Sequence, residues 1–241
     1  MRPYLSRPRL FRIWLGLFPT LVVLWYFPYI DFPVRVLTWA AGFFLLTGAL
    51  VFAWKFSFAR WLLIAIYSLS ALFVIWPTHR PSDPAMLRAN YCQALKSYLG
   101  CRYIWGGESY TGIDCSGFVR KGLEDALARR GFCSLEPNAL RQSISLYWHD
   151  TNARVIGSGY AGRTKFITNC SNLNVLDYSL LQPGDLAVTS GGDHVMAYLG
   201  DKTWIAADPG PGKVTEFHIP EEKDPYFSTE MRIVRWTILS D

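Results

Sequence analysis

The chain reads as an α+β domain, helices packed on an antiparallel β-meander, preceded by three transmembrane α-helices. Three observations carry this. Residues 1–76 hold three apolar stretches of membrane-crossing length. Residues 115–131 repeat apolar side chains at three- and four-residue intervals, as one buried helix face does. Residues 181–207 set short apolar runs between Pro-Gly, Gly-Gly and Gly-Asp turns, as a meander does.

The apolar stretches are Ile13–Ile30, Val36–Trp54 and Phe58–Trp76. A span of about 19 residues rises ~29 Å, close to the ~30 Å of bilayer hydrocarbon. None has an acid or base in its interior, apart from termini, and Trp25, Tyr26, Tyr29, Trp54, Trp61 and Trp76 sit near the ends as interfacial anchors. Pro19 and Pro28 interrupt the first stretch, which neighbouring helices can tolerate. A cleaved signal peptide fits less well, because no small-residue cleavage site follows and two more apolar stretches come directly after.

Charge divides the chain the same way. Residues 1–76 carry seven Lys/Arg and one acid, Asp31; the remaining 17 basic and 18 acidic residues nearly balance. The basic character therefore belongs to the membrane part, and no basic patch interleaved with aromatics points to nucleic acid. Arg2, Arg7, Arg9 and Arg12 precede the first span, and Lys55 and Arg60 flank the second loop. Positive residues favour the cytoplasm. Three crossings then carry the rest of the chain to the periplasmic or extracellular side of a bacterial inner membrane. The expected organisation is a basic cytoplasmic tail over 1–12, a multi-pass membrane domain over 13–76 whose helices contact lipid, and a second domain over 77–241.

That domain opens with a proline-rich linker, Pro77 to Pro84. Ser82 or Asp83 can cap a helix with Pro84 in its first turn. Leu87, Tyr91, Leu95 and Tyr98 share its face, and Gly100 ends it. The glycine-rich loop Tyr103–Asp114 follows, then a helix from Cys115 whose buried face is Phe118, Val119, Gly122, Leu123, Ala126 and Leu127. Gly131 is placed as its stop. Residues 131–182 show no clear period and read as a loop-rich insertion with one helix near Asn138–Tyr147. Leu186–Val188, His194–Leu199 and Thr203–Ala207 read as strands, and Met231–Leu239 as a last one.

Cys115 thus stands where a tight loop turns into a helix. The helix dipole and free first-turn amides there favour a thiolate and can hold an oxyanion. The dipole contributes about 0.3–1 kcal/mol, at best ~2. At about 1.4 kcal/mol per pKa unit, that brings a thiol from about 8.5 to about 7. A strong nucleophile also needs an imidazole, and the chain offers His79, His149, His194 and His218. No short-spaced His/Cys pairs suggest a metal, and no Gly-Lys-Ser/Thr loop suggests a nucleotide, so no cofactor is expected.

The segments Tyr103-Ile104-Trp105-Gly106-Gly107, Asp114-Cys115-Ser116-Gly117-Phe118-Val119, Leu181-Gln182-Pro183-Gly184-Asp185 and His194-Val195 with Tyr198-Leu199-Gly200 occur in one order. Together they resemble the NlpC-type papain-like cysteine peptidases that cut bacterial cell-wall peptides, over roughly residues 90–215. The resemblance implies Cys115 as nucleophile, His194 as its base and Tyr103 as a site-lining group that helps with the oxyanion. It also implies Asp114, Ser116 and Trp105 as substrate-binding residues, and peptidoglycan stem peptides as the substrate. The family's third polar residue falls by spacing on Ala206, which cannot orient an imidazole. Asp208, two residues on and on the same strand face, can take that place, as can a backbone carbonyl or water; Asp208 can equally be a turn residue of Asp-Pro-Gly-Pro-Gly.

The expected activity is hydrolysis of a stem-peptide amide through a Cys-His thiolate mechanism. Two alternatives stand beside it: an amidase or other amide hydrolase on the same scaffold, and a degenerate domain that binds wall peptides or a partner. Five cysteines fit one nucleophile with two disulfides, Cys92–Cys101 and Cys133–Cys170, or equally four buried thiols.

Overall fold

A computed structural model describes residues 7–77 and 83–240. Residues 1–6 of the basic tail, and His79, Arg80 and Ser82 of the linker, lie outside the described residues.

Three helices come first: α1 (Arg7–Tyr26), α2 (Phe32–Ala53) and α3 (Ser57–Ile75). All three are long and apolar enough to cross a membrane. The first begins and ends earlier than the apolar run alone suggests. Pro19 is taken inside α1, whereas Pro28 falls in the loop after it, where a missing N–H costs nothing. The helices alternate in direction. Trp14, near the start of α1, donates from Nε1 to the Leu45 carbonyl in the second half of α2 (3.0 Å), and Tyr67 of α3 donates to Leu46 (3.2 Å).

Asp83 caps α4 (Pro84–Lys96) by accepting from the Ala85 amide. Leu87, Tyr91 and Leu95, with Tyr98 just beyond, are fully buried, as their spacing requires. A two-stranded hairpin, β1 (Glu108–Ser109) and β2 (Gly112–Ile113), leads into α5 (Cys115–Cys133). The apolar face of α5 packs against α4, α6 (Pro137–Trp148) and the sheet.

Gly131 does not stop α5, which runs on to Cys133. Its missing side chain serves the crossing of α5 and α6: a Cβ there would come within 2.8 Å of the Leu140 Cβ.

Residues 131–182 are more ordered than their sequence pattern suggests. They contain α6, the short α7 (Ala153–Gly157) and β3 (Thr164–Cys170). An edge strand has one hydrogen-bonded neighbour and little burial, so β3 shows weak alternation. Then come β4 (Leu186–Thr189), β5 (Val195–Gly200), β6 (Thr203–Asp208), β7 (Lys213–His218) and β8 (Met231–Trp236). They form one antiparallel sheet in the order β3-β8-β4-β5-β6-β7, so β4 to β7 are a meander.

Both faces of the sheet are covered. Val195, Ala197, Ile205 and Ala207 face the helices, while Met196, Trp204, Ala206 and Ile233 face a second apolar cluster with Leu173, Phe217 and Phe227. Asp185 of the Pro-Gly-Asp turn is fully buried and grips Arg235 of β8 through both oxygens (2.5 and 2.7 Å), which joins β8 to the start of β4.

All five cysteines are free thiols, so the two disulfides considered from sequence are not formed. Cys101 turns toward the carbonyls of Arg102, Ser109 and Tyr110 instead of toward α4. Cys133 is exposed at the end of α5, while Cys170 ends the edge strand β3.

Candidate active site

A cleft of about 520 Å³ opens over the start of α5. Tyr103, Trp105, Gly106 and Glu108 form one wall; Asp150–Arg154, with Gly192 and Asp193, form the other; Asp114, Cys115 and Ser116 line it as well. Cys115 is nearly buried at 6% exposure.

The loop before α5 is shaped by Asp114. One carboxylate oxygen accepts from the Gly117 amide (2.6 Å) and the Ser116 hydroxyl (3.0 Å); the other accepts from the Gly106 amide (2.9 Å). Asp114 therefore caps the helix and pins the glycine loop to it. Gly117 is obligatory here, since a Cβ would meet the Gly107 carbonyl at 2.5 Å. Ser116 is committed to Asp114, whereas Trp105 is 78% exposed at the rim.

The thiol differs from the sequence expectation. Burial, then the neighbouring Asp114 charge, push Cys115 up to about 12, although the amides of Val195, Ser116 and Cys115 itself favour its thiolate. The helix start alone suggested a fall. Desolvation of a nearly sealed sulfur outweighs a dipole effect of at best ~2 kcal/mol.

His194 immediately precedes β5 and is 1% exposed. The Val195 amide, next in the chain, is one of the groups that favour the Cys115 thiolate, and Tyr226, which stacks on His194, feels the Cys115 charge as well. His194 Nε2 lies 3.4 Å from Asp208 Oδ2, and both side chains are buried. Asp208 Oδ1 accepts from Gly210 in the turn (2.7 Å), while its Oδ2 faces the ring without a hydrogen bond to it. Ala206, the position given by family spacing, points into the apolar cluster behind the sheet.

Two residues of the last loop complete the surroundings and carried no sequence signal. The Tyr226 ring stacks on His194, with centroids 4.1 Å apart and planes 12° apart. Asp224 accepts from the Tyr226 amide (2.9 Å) and stands beside Asp208. Burial pushes His194 down to about 4. Burial, opposed by the Gly210 amide and reinforced by Asp224, pushes Asp208 up to about 6. The Tyr103 phenol is also pushed up, by burial and then by Cys115 and Asp114, so it remains a proton donor at the cleft wall.

At neutral pH the resting pair is thus thiol and neutral imidazole, with an ionised Asp208 behind the ring. Such a set can move the sulfur's proton as the sulfur attacks, without a standing thiolate. The other described histidines lie elsewhere: His149 is bound to the Ser145 carbonyl (2.6 Å) and His218 to the Thr203 hydroxyl (3.0 Å). Among the described residues no group of three or more His, Cys, Asp or Glu could hold a metal ion.

Glu108 is the largest omission of the sequence reading. It lines the cleft at 8% exposure and is held by two guanidiniums. Arg35, in the first turn of α2, donates to its Oε2 (2.7 Å), and Arg120 of α5 pairs with its Oε1. Asp150 lies 3.3 Å from Arg120. No spacing rule links residues 35, 108, 120 and 150.

Residues 100–235 match the model of the NlpC/P60 family. No curated protein matches the chain. Among solved structures, NlpC1 from Trichomonas vaginalis is 18% identical with a TM-score of 0.42, over 67% of this chain and 48% of that one. The P60 domain of a Mycobacterium avium subspecies paratuberculosis antigen is 20% identical with a TM-score of 0.40, over 66% and 98%. The peptidoglycan hydrolase RipB from Mycobacterium tuberculosis is 18% identical with a TM-score of 0.40, over 67% and 70%. The chain spans less than half the length of the Trichomonas protein.

Proposed function

The chain belongs to the NlpC/P60 family, and on that premise we propose that it is a membrane-anchored cysteine peptidase that hydrolyses an amide bond of peptidoglycan stem peptides. One observation supports the mechanism: the His194 ring lies between Tyr226, stacked at 4.1 Å, and Asp208, 3.4 Å from Nε2, at the start of the strand whose Val195 amide favours the Cys115 thiolate.

Since Nε2 faces Asp208, Nδ1 is the nitrogen left to take the thiol proton. The sulfur attacks the scissile carbonyl as that proton leaves. The first-turn amide of Cys115 and the Tyr103 hydroxyl stabilise the oxyanion. The imidazolium, held by Asp208, protonates the departing amine, and water then cleaves the thioester. The 3.4 Å separation suits an interaction that tightens when the ring becomes charged. Asp208 also weakens the reading of a degenerate domain, since it offers a polar partner to the ring where Ala206 cannot.

The ends of α1 and α3 and the start of α2 all meet the catalytic domain, which supports three crossings with the domain on the side opposite the start of α1. The RipB relative bears the name peptidoglycan hydrolase, in keeping with a wall-peptide substrate.

Cys115→Ala is expected to reduce release from muropeptides to background while the protein keeps its thermal unfolding midpoint. Release by the variant at the wild-type rate refutes the mechanism. The product masses identify the bond and separate an endopeptidase from an amidase.

A further inference from the structure

We propose that the substrate is a peptide tethered to a membrane lipid, met at the bilayer surface; this rests on the peptidase reading above. Both cleft walls are built on the outer end of the helix bundle. On the first wall, the Glu108 amide donates to the Pro28 carbonyl (2.8 Å), and the Thr111 hydroxyl of the same hairpin donates to the Tyr26 carbonyl (2.7 Å). A Cβ on Gly106 would touch the Tyr29 ring. Residues 26–29 are the end of α1 and the loop after it, where a crossing helix leaves the hydrocarbon.

The second wall begins two residues after α6. Trp148, at the end of α6, packs on Phe32 and Trp39 of α2, with ring centroids 6.4 and 5.8 Å away. Arg141 of α6 donates to the Val74 and Trp76 carbonyls at the end of α3 (2.6 and 3.0 Å). So α6 lies across the ends of α2 and α3, and the wall that follows it starts at the same level. Between the walls, Arg35 of α2 is 1% exposed and is bonded to Glu108 in the cleft lining. Lifting the cleft off the bundle would strip that guanidinium of its carboxylate. Trp105 stands at the rim, 78% exposed, beside the loop that carries Tyr29, as an interfacial aromatic does. A cleft fixed at this height reaches peptides carried by the bilayer and is held back from those in a distant network.

The test uses the full chain in proteoliposomes. One stem peptide is supplied free in water, joined through a sugar diphosphate to a polyprenyl chain, and joined to a plain acyl chain. At equal total peptide, the tethered forms are expected to be cut at least about tenfold faster. A preference for both tethers supports tethering as such, and a preference for the polyprenyl form alone assigns that headgroup. Equal rates for free and tethered peptide, or intact sacculi cut as fast as the tethered forms, overturn the inference and leave the peptidase reading standing. If no form is cut, the peptidase reading fails and the inference fails with it. A readout independent of turnover uses a variant with Cys92, Cys101, Cys133 and Cys170 replaced by serine. An acyl-chain maleimide should label Cys115 faster than a water-soluble one, by intact mass; equal labelling contradicts a cleft at the membrane surface.

Discussion

Two buried carboxylates near the cleft meet opposite company. Asp208 faces a neutral imidazole and another carboxyl, Asp224, and is raised to about 6, so a small change in pH alters its charge. Glu108 lies between the guanidiniums of Arg35 and Arg120. The first environment leaves a charge near its threshold and suits proton movement. The second ties a charge down and suits fixing one part of the chain against another. The same residue chemistry thus takes on a titratable or a fixed character according to its partners.

Three substitutions sharpen or break this contrast. The largest effect is expected from Asp208→Asn, which keeps the shape and loses the charge behind the imidazolium. Turnover should fall by about 10²–10⁴-fold, with the unfolding midpoint nearly unchanged. Wild-type turnover would make Asp208 a turn residue only.

Glu108→Ala should act in the other way. It leaves two buried guanidiniums with only the exposed Asp150 carboxylate, 3.3 Å from Arg120 and 4.0 Å from Arg35, a loss on the order of 3 kcal/mol. Thermal unfolding in detergent measures it, and a cost under about 1 kcal/mol would place the pair with ordinary surface contacts.

The smallest effect is a shift in pH dependence. His194 is neutral above about 4, so the acid limb of the rate follows Asp208, which loses its proton as pH rises through about 6. Activity should therefore rise through that value. Asp224→Asn keeps the cap on the Tyr226 amide and removes the neighbouring charge, so the midpoint should move down. A midpoint that stays in place excludes Asp224 as its cause. For stability the two groups oppose each other. The raised Asp208 binds its proton more tightly when folded, which lowers stability as pH climbs from about 4 to 6; the depressed His194 raises it over the same window.

The legible parts of the sequence are those governed by short-range spacing. The apolar faces of α4 and α5, the Asp83 cap, the meander and the Cys115 helix start all depend on neighbours within a turn or a strand. The nearness of Asp208 to the His194 ring was reachable because Asp208 is two residues from the position the family spacing names. Gly131 was misread because a glycine near a helix end and one at a helix crossing look alike in sequence; only Leu140 distinguishes them. Tyr226, Asp224 and the Glu108 cluster were not legible, since their contacts with His194, Asp208 and Arg35 join separate elements of the chain. The fall expected for the thiol became a rise because burial is a property of the whole fold.

Leu140 and Arg141 are consecutive in α6. One abuts the helix that begins at Cys115, and the other holds the last carbonyls of α3. Transplanting residues 84–240 onto an unrelated anchor would leave Arg141 without those carbonyls and Glu108 with one cation instead of two. The N-terminal third is therefore a part of the domain's chassis, and swapping it is a redesign of the domain rather than a change of address.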